Sequence, residues 1–453
     1  MRRKIVIWAL IGVTLLGASC GPCRVPPGPA AVTGDNSGDA IAVYQIWQVS
    51  DSYGQVYVQK IGPEGDFLWG GEGILIGNGC RVHGGFDPYV VTDGSGGTIV
   101  IWEECLPEPE GEPSHFQTHV TRIDSEGNVK WQRDIAGIDQ AIPDGSGGAI
   151  IAYTDPYDNI SVLRIDAEGN VPWVEDGVSL NLTEYTALAV ASDNLGGVIV
   201  VGYAYQSAGP IVYAQRVDSG GNALWQTGGV PACVGPAEGA QVVSDGAGGA
   251  IVAYMRDIPC DDGRIGGYCD SDIYAQRIDA EGNVLWGPDG VPICAGPSHP
   301  NTPRIVTDGA GGAIIFFTFI GSEVSSPGYV AFRAQRIDAY GHELWEEEGD
   351  LWGGMIVSDS SGGVISVWDD EEGTNARAQR LDAMGRELWE PDGLILRDLH
   401  PSLAAPDGCG GVLISWLAAE FKGCELSEVS YYVQRIDAEG NLPWGDDGIL
   451  LNP

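Results

Sequence analysis

A chain of 453 residues with 63 acids against 23 Lys plus Arg has a formal net charge of −40. That balance excludes nucleic acid and anionic lipid as partners, because both require a positive surface. With 68 Gly, 27 Pro, 14 Trp and 17 Tyr against 4 Met, the composition is that of many short strands joined by tight turns, not of helices.

The chain opens on Arg2, Arg3 and Lys4, followed by an apolar run from Ile5 to Gly17 and then small residues up to Cys20. A charged start, a short apolar stretch and a small-residue cleavage site predict a secretory signal over residues 1–19, too short for a comfortable membrane span. The segment Leu16-Gly17-Ala18-Ser19-Cys20 resembles the lipobox of bacterial lipoproteins, which implies that Cys20 is lipidated. Ordinary secretion is the alternative. Residues 20–31, rich in Pro and Gly, read as a lipidated Cys and a flexible tether. The rest is expected outside the cytoplasm, at the cell surface or in a periplasm, held to the membrane only through its lipid.

From residue 32 to 453 one unit repeats eight times. A Trp closes the second half of each copy, at Trp69, Trp131, Trp173, Trp225, Trp286, Trp345, Trp389 and Trp444, spaced 42 to 62 residues apart. An Asp opens a Gly-rich turn in each, at Asp35, Asp93, Asp144, Asp193, Asp245, Asp308, Asp359 and Asp407. A basic residue forms the third column: Lys60, Arg122, Arg164, Arg216, Arg277, Arg336, Arg380 and Arg435.

Each copy reads as four short strands. Strand A is the apolar run before the Asp, as in Arg304 to Thr307, and strand B follows the turn, as in Ala250 to Tyr254. The Asp-Gly-x-Gly-Gly between them offers a side-chain acceptor and glycines free to take positive φ, which makes A and B a hairpin. Strand C is Tyr-Ala-Gln-Arg-Ile-Asp, and Ala-Glu-Gly-Asn turns it into strand D, Val284-Leu285-Trp286. Four antiparallel strands in a unit of this length have the size of a propeller blade. The fold class is therefore all-β, an eight-bladed β-propeller in a single domain over 32–453. The first copy, whose turn reads Asp35-Asn36-Ser37-Gly38-Asp39, is the most degenerate.

The stretch Arg277-Ile278-Asp279-Ala280-Glu281-Gly282-Asn283-Val284-Leu285-Trp286 resembles the Asp-Ala-x-x-Gly-x-x-x-Trp blade motif of pyrroloquinoline-quinone-type propellers. That group also includes the lipoprotein scaffold of outer-membrane protein assembly. The turn here is one residue shorter, and the Asp-Gly-x-Gly-Gly turn is additional, so the resemblance implies architecture and no activity. In such propellers the Trp of each blade docks on its neighbour and its N–H finds a backbone partner. The basic and Asp columns then form ion pairs within the blades.

Because strands alternate in direction, the A–B and C–D turns share one face while the B–C and D–A loops share the other. The second set carries the length variation, with long inserts at 103–114, 255–271 and 321–328, and recognition is expected there. Candidate ligand-binding acids on this face are Glu103, Glu104, Asp155, Asp158, Asp257, Asp369 and Asp370, with Asp261 and Asp262 beside them. Solvated acidic loops are the plainer reading. A ring of the acids would suit Ca²⁺ or an acid and base pair acting on a glycoside. No other metal and no cofactor is expected. His83, His115, His119, His299 and His400 are scattered over several copies. Trp47, Tyr53, Tyr157, Tyr205, Phe319 and Phe421 fall in the same loops, to stack on sugars or to pack.

Ten Cys in an exported chain point to disulfides. Cys80 with Cys105, and two bridges among Cys233, Cys260, Cys269 and Cys294, would pin long loops of the variable face. Cys409 lies in the opposite turn, too far from Cys424 to pair. No nucleophile elbow, phosphate loop or zinc-protease helix is present. The leading expectation is a non-enzymatic, monomeric propeller lipoprotein that binds a protein, a glycan or an envelope component through its variable face. The alternatives are a carbohydrate-active hydrolase or lyase with paired carboxylates in the channel, and an envelope-assembly scaffold.

Overall fold

The structure is a computed structural model. It describes residues 30–452 apart from 36, 48–52, 81–87, 107–114, 156–158, 184–188, 207–208, 260–267, 295–301, 321–329, 346–348, 352–353, 371–372, 398 and 423–424. It is all-β: eight four-stranded antiparallel sheets, each built from four consecutive strands, are the blades of a β-propeller. They span 31–80, 89–135, 140–183, 189–231, 237–294, 304–351, 355–397 and 403–450. The degenerate first copy makes a full blade, with strands Ala31–Gly34, Ala40–Trp47, Tyr53–Ile61 and Ile74–Cys80. Two compact units are present: 1–135 with 369–378 and 394–453, and 136–368 with 379–393. In the first, the A strands of blades 8, 1 and 2 adjoin in sequence; in the second, those of blades 3 to 7 do. Within each unit, strand A is thus the edge that neighbouring blades share.

Blade 5 shows how the sequence builds the unit. Its strands are Ala237–Ser244, Ala250–Pro259, Tyr268–Ile278 and Val291–Cys294. Asp245 Oδ1 accepts from the backbone N–H groups of Ala247 and Gly249, closing the A–B turn. The C–D turn repeats the device, with Asp279 Oδ1 accepting from Glu281 and Asn283.

Strand D is not the Val-Leu-Trp segment that the sequence suggests. Val284 makes only an isolated bridge to Ile278, and the ladder resumes at Val291 opposite Ala275. The reason is Gln276, fully buried on strand C. Its Oε1 accepts from the N–H groups of Arg277 and Trp286, and its Nε2 donates to the Gly287 carbonyl. A side-chain amide therefore takes the place of strand-to-strand bonds around the Trp. Gln59, Gln215 and Gln379 do the same in blades 1, 4 and 7, and in blade 8 Gln434 accepts from Arg435 and donates to the Gly445 carbonyl. Four residues after Trp286, Gly290 turns the chain into strand D at φ +73°, where a Cβ would lie 2.2 Å from the Ala275 carbonyl oxygen.

The basic and acidic columns pair in all eight blades, at 2.8 to 3.0 Å. Each Asp is buried, and its turn N–H groups and its cation together satisfy the carboxylate. The same cations also join blades. Arg216 Nη1 and Trp225 Nε1 both donate to the carbonyl of Ala280, in the C–D turn of the next blade. Arg164 with Trp173 converges in this way on Ser219, and Arg336 with Trp345 on Ala383. Gly282 lies on the Trp225 ring, where a Cβ would come within 2.9 Å. Trp69 reaches Ser125, and Trp444 of the last blade reaches Pro63 of the first. Trp286 is the exception to the expected N–H partner: its indole N–H is buried with none among the described residues. Arg277 alone takes the Ala339 carbonyl there.

The expected disulfides are corrected in part. Cys233 and Cys294 are buried thiols outside any disulfide. Cys233 packs in the core between blades 4 and 5, and Cys294 in the core between blades 5 and 6, so the sheet of blade 5 separates them. Cys409 is exposed in its A–B turn. Cys20 and Cys260 lie outside the described residues, as do the side chains of Cys80, Cys105 and Cys269.

Candidate functional site

The B–C and D–A connections, where the loops vary, gather at one end of each blade. In blade 2 the D strand departs from the repeat. Trp131 is followed by no glycine at the fourth position, and Thr121 stands where the buried Gln stands in blade 5. The ladder accordingly continues past the Trp over Val129–Ile135, with one register shift between Ile123 and Arg122 and regular pairing from there on, Arg122 opposite Trp131 and Thr121 opposite Gln132. That continuous strand carries Asp134 opposite His119. The buried His119 ring is held from both sides, Nδ1 at 2.8 Å from Asp134 Oδ1 and Nε2 at 3.1 Å from Glu104 Oε2. Trp102 covers it at 5.1 Å between ring centres. Burial pushes the neighbouring Glu103 carboxyl up from its ordinary value.

The other described candidate acids, Asp155, Asp369 and Asp370, have separate local partners. Asp155 accepts from the N–H and side-chain amide of Asn159, closing the B–C turn of blade 3. Asp370 does likewise with Thr374 and Asn375. The Asn375 amide and the Thr374 N–H pull its carboxyl down to about 2. Asp369 sits 3.0 Å from His400 Nδ1, across the connection into blade 8. Burial raises its carboxyl, against the opposing pull of His400. Asp257 lies on strand B of blade 5; its side chain falls outside the described residues. So do Asp158, Asp261, Asp262, Tyr157, His83 and His299, and the side chains of Trp47, Tyr53, Tyr205, Phe319, Phe421 and His115. Among the described residues, no group of three or more His, Cys, Asp or Glu is placed to hold a metal ion.

The described opening lies elsewhere, at the variable end of the inner strands of blades 5 to 7. It encloses about 590 Å³ and is lined by Gln241, Thr302, Arg304, Phe316, Phe332 and Ile356, among others. That volume falls within the roughly 300–1,000 Å³ typical of small-ligand sites. Phe316 and Phe332 stack at 6.2 Å between centres, 20° apart. Arg304 opens strand A of blade 6 and is exposed. Sequence reasoning overlooked this place, yet the signal was present. At the same strand position the other blades carry Ala31, Tyr89, Gln140, Ala189, Gln241, Met355 and Leu403, and only blade 6 has a charge.

No family model and no curated protein matches the chain. Solved structures do. An ulvanlyase of a polysaccharide lyase family is 12% identical with a TM-score of 0.45, covering 92% of this chain and 96% of that one. A eukaryotic initiation factor is 10% identical with a TM-score of 0.47, covering 93% and 89%. A Bombyx mori β-fructofuranosidase is 10% identical with a TM-score of 0.30, covering 91% and 83%. At these values none of the three activities is transferred to this chain.

Proposed function

We propose that the chain is a non-enzymatic, exported propeller, anchored through Cys20 as a monomer, that binds a glycan at the variable end of its blades. One observation carries this reading: the opening on the inner strands of blades 5 to 7. It combines an aromatic pair, an amide, a hydroxyl and a guanidinium, the mixture of apolar wall and few polar groups that orients a small ligand. The joints described above explain why such a site would stay in place. At three joints between neighbouring blades a Trp ring and a guanidinium share one carbonyl, while the loops that differ are left to recognition.

A glycan array probed with the mature protein, with and without EDTA, tests the proposal. Retention of defined saccharides without their cleavage is the expected result, and no retained saccharide would overturn it. Loss of binding in EDTA would add Ca²⁺ to the reading.

A second reading, cleavage of the glycan, is favoured by Glu103. Burial raises its carboxyl, and the adjacent Glu104 is engaged with His119 at 3.1 Å; two carboxyl groups in different surroundings are what glycoside chemistry uses. Product release that disappears in Glu103→Gln would replace the binding reading with this one.

A further inference from the structure

We infer that the opening on blades 5 to 7 selects a saccharide unit bearing a carboxylate, with Arg304 as the residue that recognises the acid. The inference rests on the glycan-binding reading and names the chemistry of its ligand.

The argument starts from how cations are spent. Eight of the 23 Lys and Arg are committed to the Asp column. Arg304 stands outside that column. Among the described residues its guanidinium has no hydrogen bond and no ion pair. It is exposed at the mouth of a concave site in a chain of net charge −40. An unpaired guanidinium offers a planar fork of donors that matches a carboxylate with two parallel hydrogen bonds. The surrounding negative charge opposes a long polyanion but tolerates one acidic unit that meets the Arg directly.

The other walls suit a sugar ring. Arg304 is paired in register with Phe316, so the guanidinium and the Phe316–Phe332 stack belong to one stretch of blade 6. Gln241 spends its amide N–H on the Ala240 carbonyl at 3.1 Å, which leaves the amide oxygen as an acceptor for a hydroxyl. Thr302 adds a hydroxyl on the same rim. Gly354 completes the lining from the blade 7 side, at φ +92°. A Cβ there would lie 1.8 Å from the Val367 carbonyl oxygen, so the site cannot be narrowed by a side chain at that position.

Calorimetry on the whole mature protein tests the inference with three probes: a disaccharide ending in glucuronate, the same disaccharide with the acid reduced to neutral glucose, and a tripeptide with a free C-terminal carboxylate. The glucuronate probe should bind about tenfold more tightly than its neutral counterpart, the margin expected of a charge-assisted bidentate contact. Arg304→Gln should remove that margin, bringing the glucuronate probe to the affinity of the neutral one with the thermal midpoint unchanged, and Arg304→Lys should restore part of it. Equal affinity for the two sugars, or a preference that survives in Arg304→Gln, would overturn the inference and leave glycan binding standing. Binding of the tripeptide without either sugar would overturn both.

Discussion

Blades 2 and 5 share the same three columns and differ in how the chain passes the Trp. In blade 5, Gln276 replaces the ladder with side-chain bonds, Gly290 makes a second turn, and strand D starts five residues beyond Trp286. In blade 2 the Gln is a Thr and the glycine is Ile135, so a seven-residue strand runs through the Trp and keeps pairing. From Trp131 onward the ladder is regular and alternates its side chains strictly, and that register places Asp134 against His119. The difference teaches that the repeat's local exceptions create chemistry, while its rule creates the joint between blades.

The largest expected effect comes from blocking the turn that blade 2 lacks. Gly290→Val forces a β-branched side chain into positive φ and against the Ala275 carbonyl, and should cost about 3 kcal/mol or more. Unfolding in urea reads this directly, and a loss under about 1 kcal/mol would mean that the turn is not what fixes strand D. Gln276→Ala comes next. It strips partners from the part-buried N–H groups of Arg277 and Trp286 and from the Gly287 carbonyl, at about 2–3 kcal/mol. An unchanged urea midpoint would show that the backbone re-pairs as it does in blade 2.

The third expectation concerns pH. Burial raises the Asp93 carboxyl, but hydrogen bonds from Ser95, Arg122 and Gly97 outweigh it, so the group titrates below the ordinary 3.8. Asp35 is lowered in the same way, by Lys60 and Ser37 against burial. A lowered folded-state value means stability present above pH 3.8 and lost as pH falls through the folded value. Glu103, raised by burial, works in the opposite sense: its share is present at low pH and is lost as pH rises through its folded value. Thermal melts from pH 7 to pH 2 should therefore fall chiefly below 3.8, and Glu103→Gln should flatten the slope above it. A curve that is flat on the acid side would break the assignment of the ladder.

The smallest effect lies at Thr121, whose buried hydroxyl has no hydrogen-bond partner among the described residues. Thr121→Val removes that uncompensated group and should gain about 0.5–1 kcal/mol. A destabilised Thr121→Val protein would show that the hydroxyl does have work in blade 2.

What the residues determined alone was the repeat: eight copies, the Asp-opened turn, the basic partner and the docking Trp, because each is a local or next-neighbour requirement repeated with a fixed spacing. Strand A of blade 6 falls where periodicity places it, at Arg304–Thr307. Strand D was placed seven residues early, at Val284 instead of Val291, because Gln276 and Gly290 act only once strand C is present to bond with. The separation of Cys233 from Cys294, the His119 clamp and the guanidinium at the mouth of the opening depend on which side of a sheet a side chain leaves from. Strand alternation within one blade is legible in a sequence, but which neighbour each side meets is decided only when the blades pack.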